Sequence, residues 1–177
     1  GTARHIHRTL RNERIQEALA RIIHRTTTHP RIRVYTGSTL RAVEGYLGNY
    51  RSIIGRNKTG GNEVTVEHGV AIIATGGRER VGDDYFYGRD PRVLTQRQLE
   101  EALAGGGPSP APRSVVMIQC VGSRTPENPY CSRVCCSQAL KNAIEIKKRD
   151  PECDVHILYR DIRSYGLRET YYRQARD

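Results

Sequence analysis

The chain has 177 residues, which is enough for one medium-sized domain or two small ones with a buried core. Apolar residues make up 37% of it, with no Trp and one Phe, so the core must be built from aliphatic side chains. No apolar run approaches the roughly 20 residues of a membrane-spanning helix, and we expect no membrane span. The chain opens on Gly1 without Met or an apolar leader, so we expect an internal piece of a longer protein.

The net charge is +10 and is concentrated in the first half of the chain. Residues 1–80 carry 14 basic and 6 acidic side chains, and Arg far outnumbers Lys overall. Nucleic acid phosphates could attract such a surface. The basic residues are scattered, however, without aromatic side chains between them on which bases could stack. We therefore do not expect nucleic acid binding, and genome composition, an anionic cofactor or an acidic partner are the alternative explanations.

The first part of the chain predicts a helix followed by a β-meander. Apolar residues recur at helical spacing over residues 12–25, and His29-Pro30 should end that helix. Residues 32–35 predict a short strand. Three alternating segments joined by turns at 48–49 and 59–62 then predict antiparallel strands, at residues 40–46, 50–54 and 63–67.

Residues 70–74 have a different pattern, because they are continuously apolar and bounded by glycines. This pattern is typical of a strand that is buried on both faces of a parallel sheet. The strand should end at Ala74-Thr75-Gly76-Gly77, where glycines allow the backbone to approach a neighbouring group closely.

The second part predicts a capped helix, a linker and a β-α-β unit. Thr95 and Gln98 form a capping box for a helix that should reach about Leu103. Residues 105–113 are rich in Gly and Pro, which is typical of a linker between domains 1–104 and 114–177. A buried strand at 114–119, a helix at 132–149 and a strand at 155–159 should form a parallel crossover. The expected fold class is α/β, with Rossmann-like parallel sheet pieces and an antiparallel β-meander.

Four of the five cysteines cluster between the first strand of this unit and its helix: Cys120, Cys131, Cys135 and Cys136. Cys120 should lie at the carboxyl end of the strand, where open α/β sheets form their ligand crevices. We expect the other three at the start of the helix, with Cys131 and Cys135 on one face and Cys136 about 100° further round. Helix N–H groups together with Arg124 and Arg133 would stabilise an anionic iron–sulfur centre there.

The spacing alone leaves other interpretations open. These are a zinc site of four cysteines, ordinary buried core cysteines, and a redox disulfide of Cys131 with Cys135 or of Cys120 with either. The corresponding functions are a zinc-stabilised basic binding module and a thiol–disulfide oxidoreductase. Cys153 is alone and should be a packing residue. Clustered cysteines favour a reducing compartment, and we expect a cytoplasmic protein.

Two motifs at the cysteines, IQCVGSR at 118–124 and NPYCSRVCC at 128–136, closely resemble the A-subunit family of heterodisulfide reductase. Four further stretches extend the resemblance over nearly the whole chain: HP at 29–30, VEGYLGNY at 43–50, AIIATGG at 71–77 and YRDIR at 159–163. The resemblance implies an oxidoreductase with a thioredoxin-reductase-like flavoprotein core and two dinucleotide-binding domains. Residues 1–104 would then be the C-terminal part of the FAD-binding domain, and residues 114–177 part of an NAD(P)-domain-like region.

The resemblance also implies the cofactors and their ligands. Cys120, Cys131, Cys135 and Cys136 would hold a 4Fe–4S cluster, and Ala74, Thr75, Gly76 and Gly77 would contact FAD. Electrons would pass between FAD and the cluster to partner subunits. The chain departs from the pattern in lacking the G-x-G-x-x-G fingerprint, as expected of an internal piece, and its cysteine loop replaces the glycines of a nicotinamide site. No catalytic residue is assigned.

Overall fold

The computed structural model describes residues 2–56, 62–108 and 111–177. The chain forms two compact units, one of Ala20–Gly76 and the other of Gly1–Leu19 with Gly77–Asp177. The boundary between them falls within helix α1, Ile15–Thr28. This helix ends directly before His29-Pro30, as predicted, because the residue before a proline is disfavoured in helical conformation. No residue of α1 is buried, and none belongs to the core cluster of the unit formed by Gly1–Leu19 and Gly77–Asp177.

The smaller unit contains the predicted meander. Strands β1 (Ser38–Tyr46), β2 (Asn49–Arg56) and β3 (Val64–His68) pair antiparallel in the order β1-β2-β3. A two-residue turn joins β1 to β2, and Gly48 adopts φ +91° in it, a conformation that glycine reaches without steric cost. The second predicted turn, at 59–62, lies largely outside the described residues.

Two predicted strands are wrong. Residues 32–35 and 70–74 are irregular in the structure and pair with no other strand in the described ranges. Ile72 and Ile73 are 89% and 88% exposed, so the expected burial is wrong as well. The physical reason is that an extended apolar segment becomes a strand only when a neighbour supplies its ladder hydrogen bonds, and becomes buried only when another layer covers it.

The larger unit is built on the predicted β-α-β arrangement. Strand β4 (Ser114–Ile118) runs parallel to β5 (Asp154–Leu158), and helix α3 (Cys135–Arg149) connects them. Helix α3 begins later than expected but ends at Asp150-Pro151 as predicted. Only one face of β4 is covered, because Met117 is buried and Val116 is exposed. The sequence predicted a buried strand here, and the structure buries one of its two faces.

The core of this unit lies between the two strands, α3 and helix α2 (Gln96–Ala104). The predicted capping box is present, since the Thr95 hydroxyl accepts the Gln98 N–H and the Gln98 side chain accepts the Thr95 N–H. Helix α4 (Glu169–Arg176) follows β5. The buried apolar side chains of this core are Leu99, Leu103, Met117, Ala139, Ala143, Ile146 and Cys153.

The structure confirms the α/β fold class, with a three-stranded antiparallel sheet and a two-stranded parallel sheet. The domain boundary at 105–113 stays a prediction, and residues 109–110 of that stretch lie outside the described ones. Among the residues described, none of the helices combines the length and apolar character required to cross a bilayer.

Candidate metal centre

The four clustered cysteines come from three consecutive pieces of the β-α-β unit. Cys120 is two residues beyond β4, next to Gln119, whose N–H bonds to the Leu158 carbonyl at 2.9 Å and keeps the chain beside β5. Cys135 and Cys136 are the first two residues of α3. Cys131 lies in the loop before the helix. The expectation that Cys131 and Cys135 share a helical face was therefore wrong, because residues 131–134 are not helical.

The cysteine loop has a strained backbone. Among the described residues, three of the non-glycine positions with positive φ fall in it: Cys120 at 63°, Arg124 at 58° and Arg133 at 57°. For an L-residue this left-handed conformation costs about 1–2 kcal/mol, and such residues cluster at functional sites. Local hydrogen bonds hold the loop, including Asn128 Nδ2 to the Gly122 carbonyl at 2.7 Å. These hydrogen bonds therefore stabilise the loop in its strained conformation.

The thiols of the cluster influence one another electrostatically. Cys136 is buried and the other three are half-buried, and all are free of disulfides. Burial raises the pKa of Cys135 to about 11, with further contributions from Cys136, Cys120 and Cys131. Four cysteine sulfurs are soft ligands of the kind that hold zinc or an iron–sulfur cluster, so the donor chemistry fits such a centre. Positive charge among the sulfurs would favour the ionised thiols.

The side chains are not arranged around an ion as they stand. Within the described ranges, no three His, Cys, Asp or Glu side chains are placed so that they could hold a metal ion. The structure therefore brings the four predicted ligands into one region without testing their assignment as ligands.

Hydrogen-bond donors point at two of the sulfurs. The Arg133 backbone N–H donates to Cys131 Sγ at 3.4 Å, and Arg124 Nη1 lies 3.9 Å from Cys120 Sγ. Helix α3 adds the positive end of its dipole, and Lys147, Lys148 and Arg149 stabilise its opposite end. These groups favour negative charge on the sulfurs.

Two residues beside this region were not predicted from the sequence to have a role at the site. Gln119 is buried, and its Nε2 has no hydrogen-bond partner among the described residues. It shares a strand face with Val115 and Met117, which pack in the core against α3. A polar residue at an inward position of an apolar strand was the pattern that could have identified it. Asp161 is the second residue, and its contacts with two arginines are visible only in three dimensions.

The segment predicted to contact FAD is open. Ala74, Thr75, Gly76 and Gly77 are exposed, and a Cβ built on Gly76 or Gly77 would meet no atom within 4 Å. Gly76 adopts φ +68°, which favours glycine. A cofactor could approach this backbone closely, but the described residues do not enclose a flavin around it. The assignment of these four residues to FAD therefore stays a prediction.

Cys153 has the role that the sequence predicted for it. It is 1% exposed and belongs to the core cluster, where burial raises the pKa of its thiol. A buried thiol with a raised pKa is unreactive. Cys153 is thus a packing residue and offers a natural control for substitutions at the other four cysteines.

No family model matches the chain. Three curated relatives, however, are similar to it over 65% of its length. The chain is 41% identical to the A subunit of the H2/formate:CoB-CoM heterodisulfide, ferredoxin reductase of Methanococcus maripaludis, of which it covers 20%. It is 41% identical to the A subunit of the ferredoxin/F420H2-dependent CoB-CoM heterodisulfide reductase of Methanosarcina acetivorans, of which it covers 16%. It is 40% identical to the iron-sulfur A subunit of the CoB–CoM heterodisulfide reductase of Methanocaldococcus jannaschii, of which it covers 20%.

The chain spans at most about a fifth of the length of these relatives. Their names agree on one subunit of one class of oxidoreductase, the class that the cysteine motif resembles. The chain is therefore homologous to a segment of the heterodisulfide reductase A subunit, which confirms the family predicted from its sequence.

Proposed function

We propose that Cys120, Cys131, Cys135 and Cys136 hold a 4Fe–4S cluster and that the chain relays electrons within a heterodisulfide reductase-type enzyme. The observation that carries this proposal is the gathering of four thiols from a strand end, a loop and a helix start, with Cys120, Cys131 and Cys136 all close enough to act on Cys135. A relative at 40% identity is named an iron-sulfur subunit, which supports the choice of iron over zinc.

The surrounding residues have definable roles in this proposal. When bound, the cluster would accept and release electrons one at a time. The strained loop sets the direction of the Cys120 thiol, and the Arg133 N–H and the start of α3 stabilise charge on the sulfurs. Burial of Cys136 limits the access of water on one side. Such hydrogen bonds, net charge and exposure determine the reduction potential of an iron–sulfur centre.

The proposal extends to FAD and to partner proteins. FAD would contact Ala74, Thr75, Gly76 and Gly77, an assignment supported by the AIIATGG motif at 71–77. Electrons would pass between FAD and the cluster and on to other subunits of a complex in the cytoplasm. The naming of the relatives as A subunits supports the existence of such partners.

Anaerobic reconstitution with iron and sulfide tests the cluster. We expect about four iron and about four acid-labile sulfide per chain, with the broad visible absorption of an iron–sulfur protein. Cys135→Ser should remove or convert the cluster, whereas the matched control Cys153→Ala should retain it. Zinc binding without labile sulfide, or equal cluster loss in both variants, would overturn the assignment.

A thiol–disulfide oxidoreductase is the rival interpretation. It needs an exposed thiol whose pKa is lowered, because the thiolate is the nucleophile. The pKa of Cys135 is instead raised, to about 11, by burial and by the neighbouring thiols. The rival predicts disulfide exchange that survives iron chelation, whereas the cluster proposal predicts that chelation abolishes the visible absorption.

A further inference from the structure

Asp161 connects the segment after β5 to the cysteine loop. One oxygen of its carboxylate accepts a hydrogen bond from Arg124 Nη1, and the other accepts one from Arg163 Nε at 3.1 Å. The carbonyl of Asp161 lies 4.0 Å from the Cys136 sulfur. A residue distant in sequence therefore contacts Cys136 directly and is linked to Cys120 through Arg124.

Arg124 is the link between this carboxylate and Cys120. The same Nη1 that bonds to Asp161 lies 3.9 Å from Cys120 Sγ. The Arg124 backbone is held as well, since its N–H donates to the Tyr130 carbonyl at 3.2 Å and its carbonyl accepts a bond from Arg160. The side chain is only 23% exposed. An arginine without such partners would lose this orientation to rotamer freedom in solvent.

We propose that Arg124 is the charged partner of the Cys120 thiolate and that Asp161 is the positioning residue that holds the guanidinium there. This inference rests on the proposed cluster and adds a means by which the chain sets its reduction potential. Reduction adds a negative charge to the centre, and a guanidinium close to a ligand sulfur stabilises that charge. Residues that contact a metal ligand without binding the metal themselves orient that ligand and tune the metal.

Redox titration of the reconstituted chain, followed by visible absorption and electron paramagnetic resonance, tests the two roles separately. Arg124→Gln should lower the equilibrium constant for one-electron reduction by about tenfold, which is ~59 mV. Arg163→Gln is the matched control, because it removes the same charge from the other oxygen of Asp161. It should shift the potential less than Arg124→Gln does.

A double-mutant cycle isolates the positioning role of Asp161. If Asp161 holds Arg124 in place, Arg124→Gln should have a much smaller effect in the Asp161→Asn background, about threefold or less. Charges that act independently through space would instead give the same shift in both backgrounds. An equal shift in the two backgrounds, no shift for Arg124→Gln, or an equally large shift for Arg163→Gln would each overturn the inference.

The results also distinguish a failure of this inference from a failure of the proposed 4Fe–4S cluster. Absence of iron and labile sulfide in the unsubstituted chain would overturn both. A reconstituted cluster whose reduction potential is unchanged by Arg124→Gln would overturn this inference alone. If Arg124→Gln does not take up the cluster, Arg124→Lys is measured in its place. It retains the charge but loses the planar guanidinium whose Nη1 contacts both Asp161 and Cys120, and should lower the potential by a smaller factor.

Discussion

The buried carboxylate of Glu100 is a quantitative test of how α2 is attached to α3. Glu100 is 4% exposed and accepts hydrogen bonds from three directions. Lys141 Nζ lies at 2.6 Å, the His7 backbone N–H at 2.8 Å and Gln138 Nε2 at 3.3 Å. Two of the donors, Lys141 and Gln138, are on α3, the helix that begins with two of the clustered cysteines.

Glu100→Ala should lower the free energy of unfolding by about 3–5 kcal/mol, the usual cost of removing one member of a buried ion pair. Most of that loss should come from the Lys141 ammonium, which is 15% exposed and would lose its counter-ion. The double variant Glu100→Ala, Lys141→Met should therefore be more stable than Glu100→Ala alone. Glu100→Gln should be intermediate, because it keeps an acceptor but not the charge.

Denaturant unfolding of the metal-free chain, followed by far-UV circular dichroism, measures these differences at constant slope. The neighbouring Glu101→Ala is the matched control. Its carboxylate is 41% exposed and pairs with His5 and Arg97, so the loss should be about 0–1 kcal/mol. Equal losses for Glu100→Ala and Glu101→Ala, or a double variant no more stable than Glu100→Ala, would refute the assignment of a stranded charge.

Three further predictions concern other parts of the larger unit. Thr95→Ala should cost about 1 kcal/mol of unfolding free energy by removing the capping box of α2, whereas Thr95→Ser should cost little, as denaturant unfolding would show. Gln119→Leu should raise the stability of the metal-free chain by about 1 kcal/mol, because it removes a buried donor that has no partner among the described residues; an unchanged or lower stability would contradict the assignment. Hydrogen bonds from the side chain and backbone of Arg92 lower the pKa of Asp90 from 3.8 to about 2, so any stability from this pair is present above pH 3.8 and is lost as the pH falls through 2. Arg92→Gln should return the pKa of Asp90 toward its ordinary value in a carboxyl NMR titration, and an unchanged value would exclude Arg92 as the cause.

Local patterns predicted the elements whose partners lie nearby in the chain. The helix after Thr95 was predictable because its cap is a short-range interaction between Thr95 and Gln98. The β-α-β unit was predictable because a strand, a helix and a strand of these lengths form a parallel crossover. The prediction of a buried strand at residues 70–74 was wrong, because an apolar segment is buried only when a second layer covers it. No described strand pairs with these residues.

At the candidate site, too, some features were predictable from the sequence and others were not. The identity of four cysteines and the motif around them were sufficient to indicate the family, which the relatives confirm. Cys131 was misplaced because helical spacing was extended back through residues that the structure shows to be a loop. Sequence has no local rule for the start of a helix without a capping side chain, and Val134 before α3 makes no side-chain cap.

The sequence by itself determined the cysteine cluster, the strand–helix–strand framework that presents it and the family to which the chain is related. Only the tertiary structure showed that Cys120, Arg124 and Arg133 adopt left-handed backbone conformations, and that Arg124 contacts both Asp161 and Cys120. The reason is physical: residue type and spacing encode interactions along the chain. The position of a charge relative to a sulfur depends on where β5 brings Asp161 after the chain has folded.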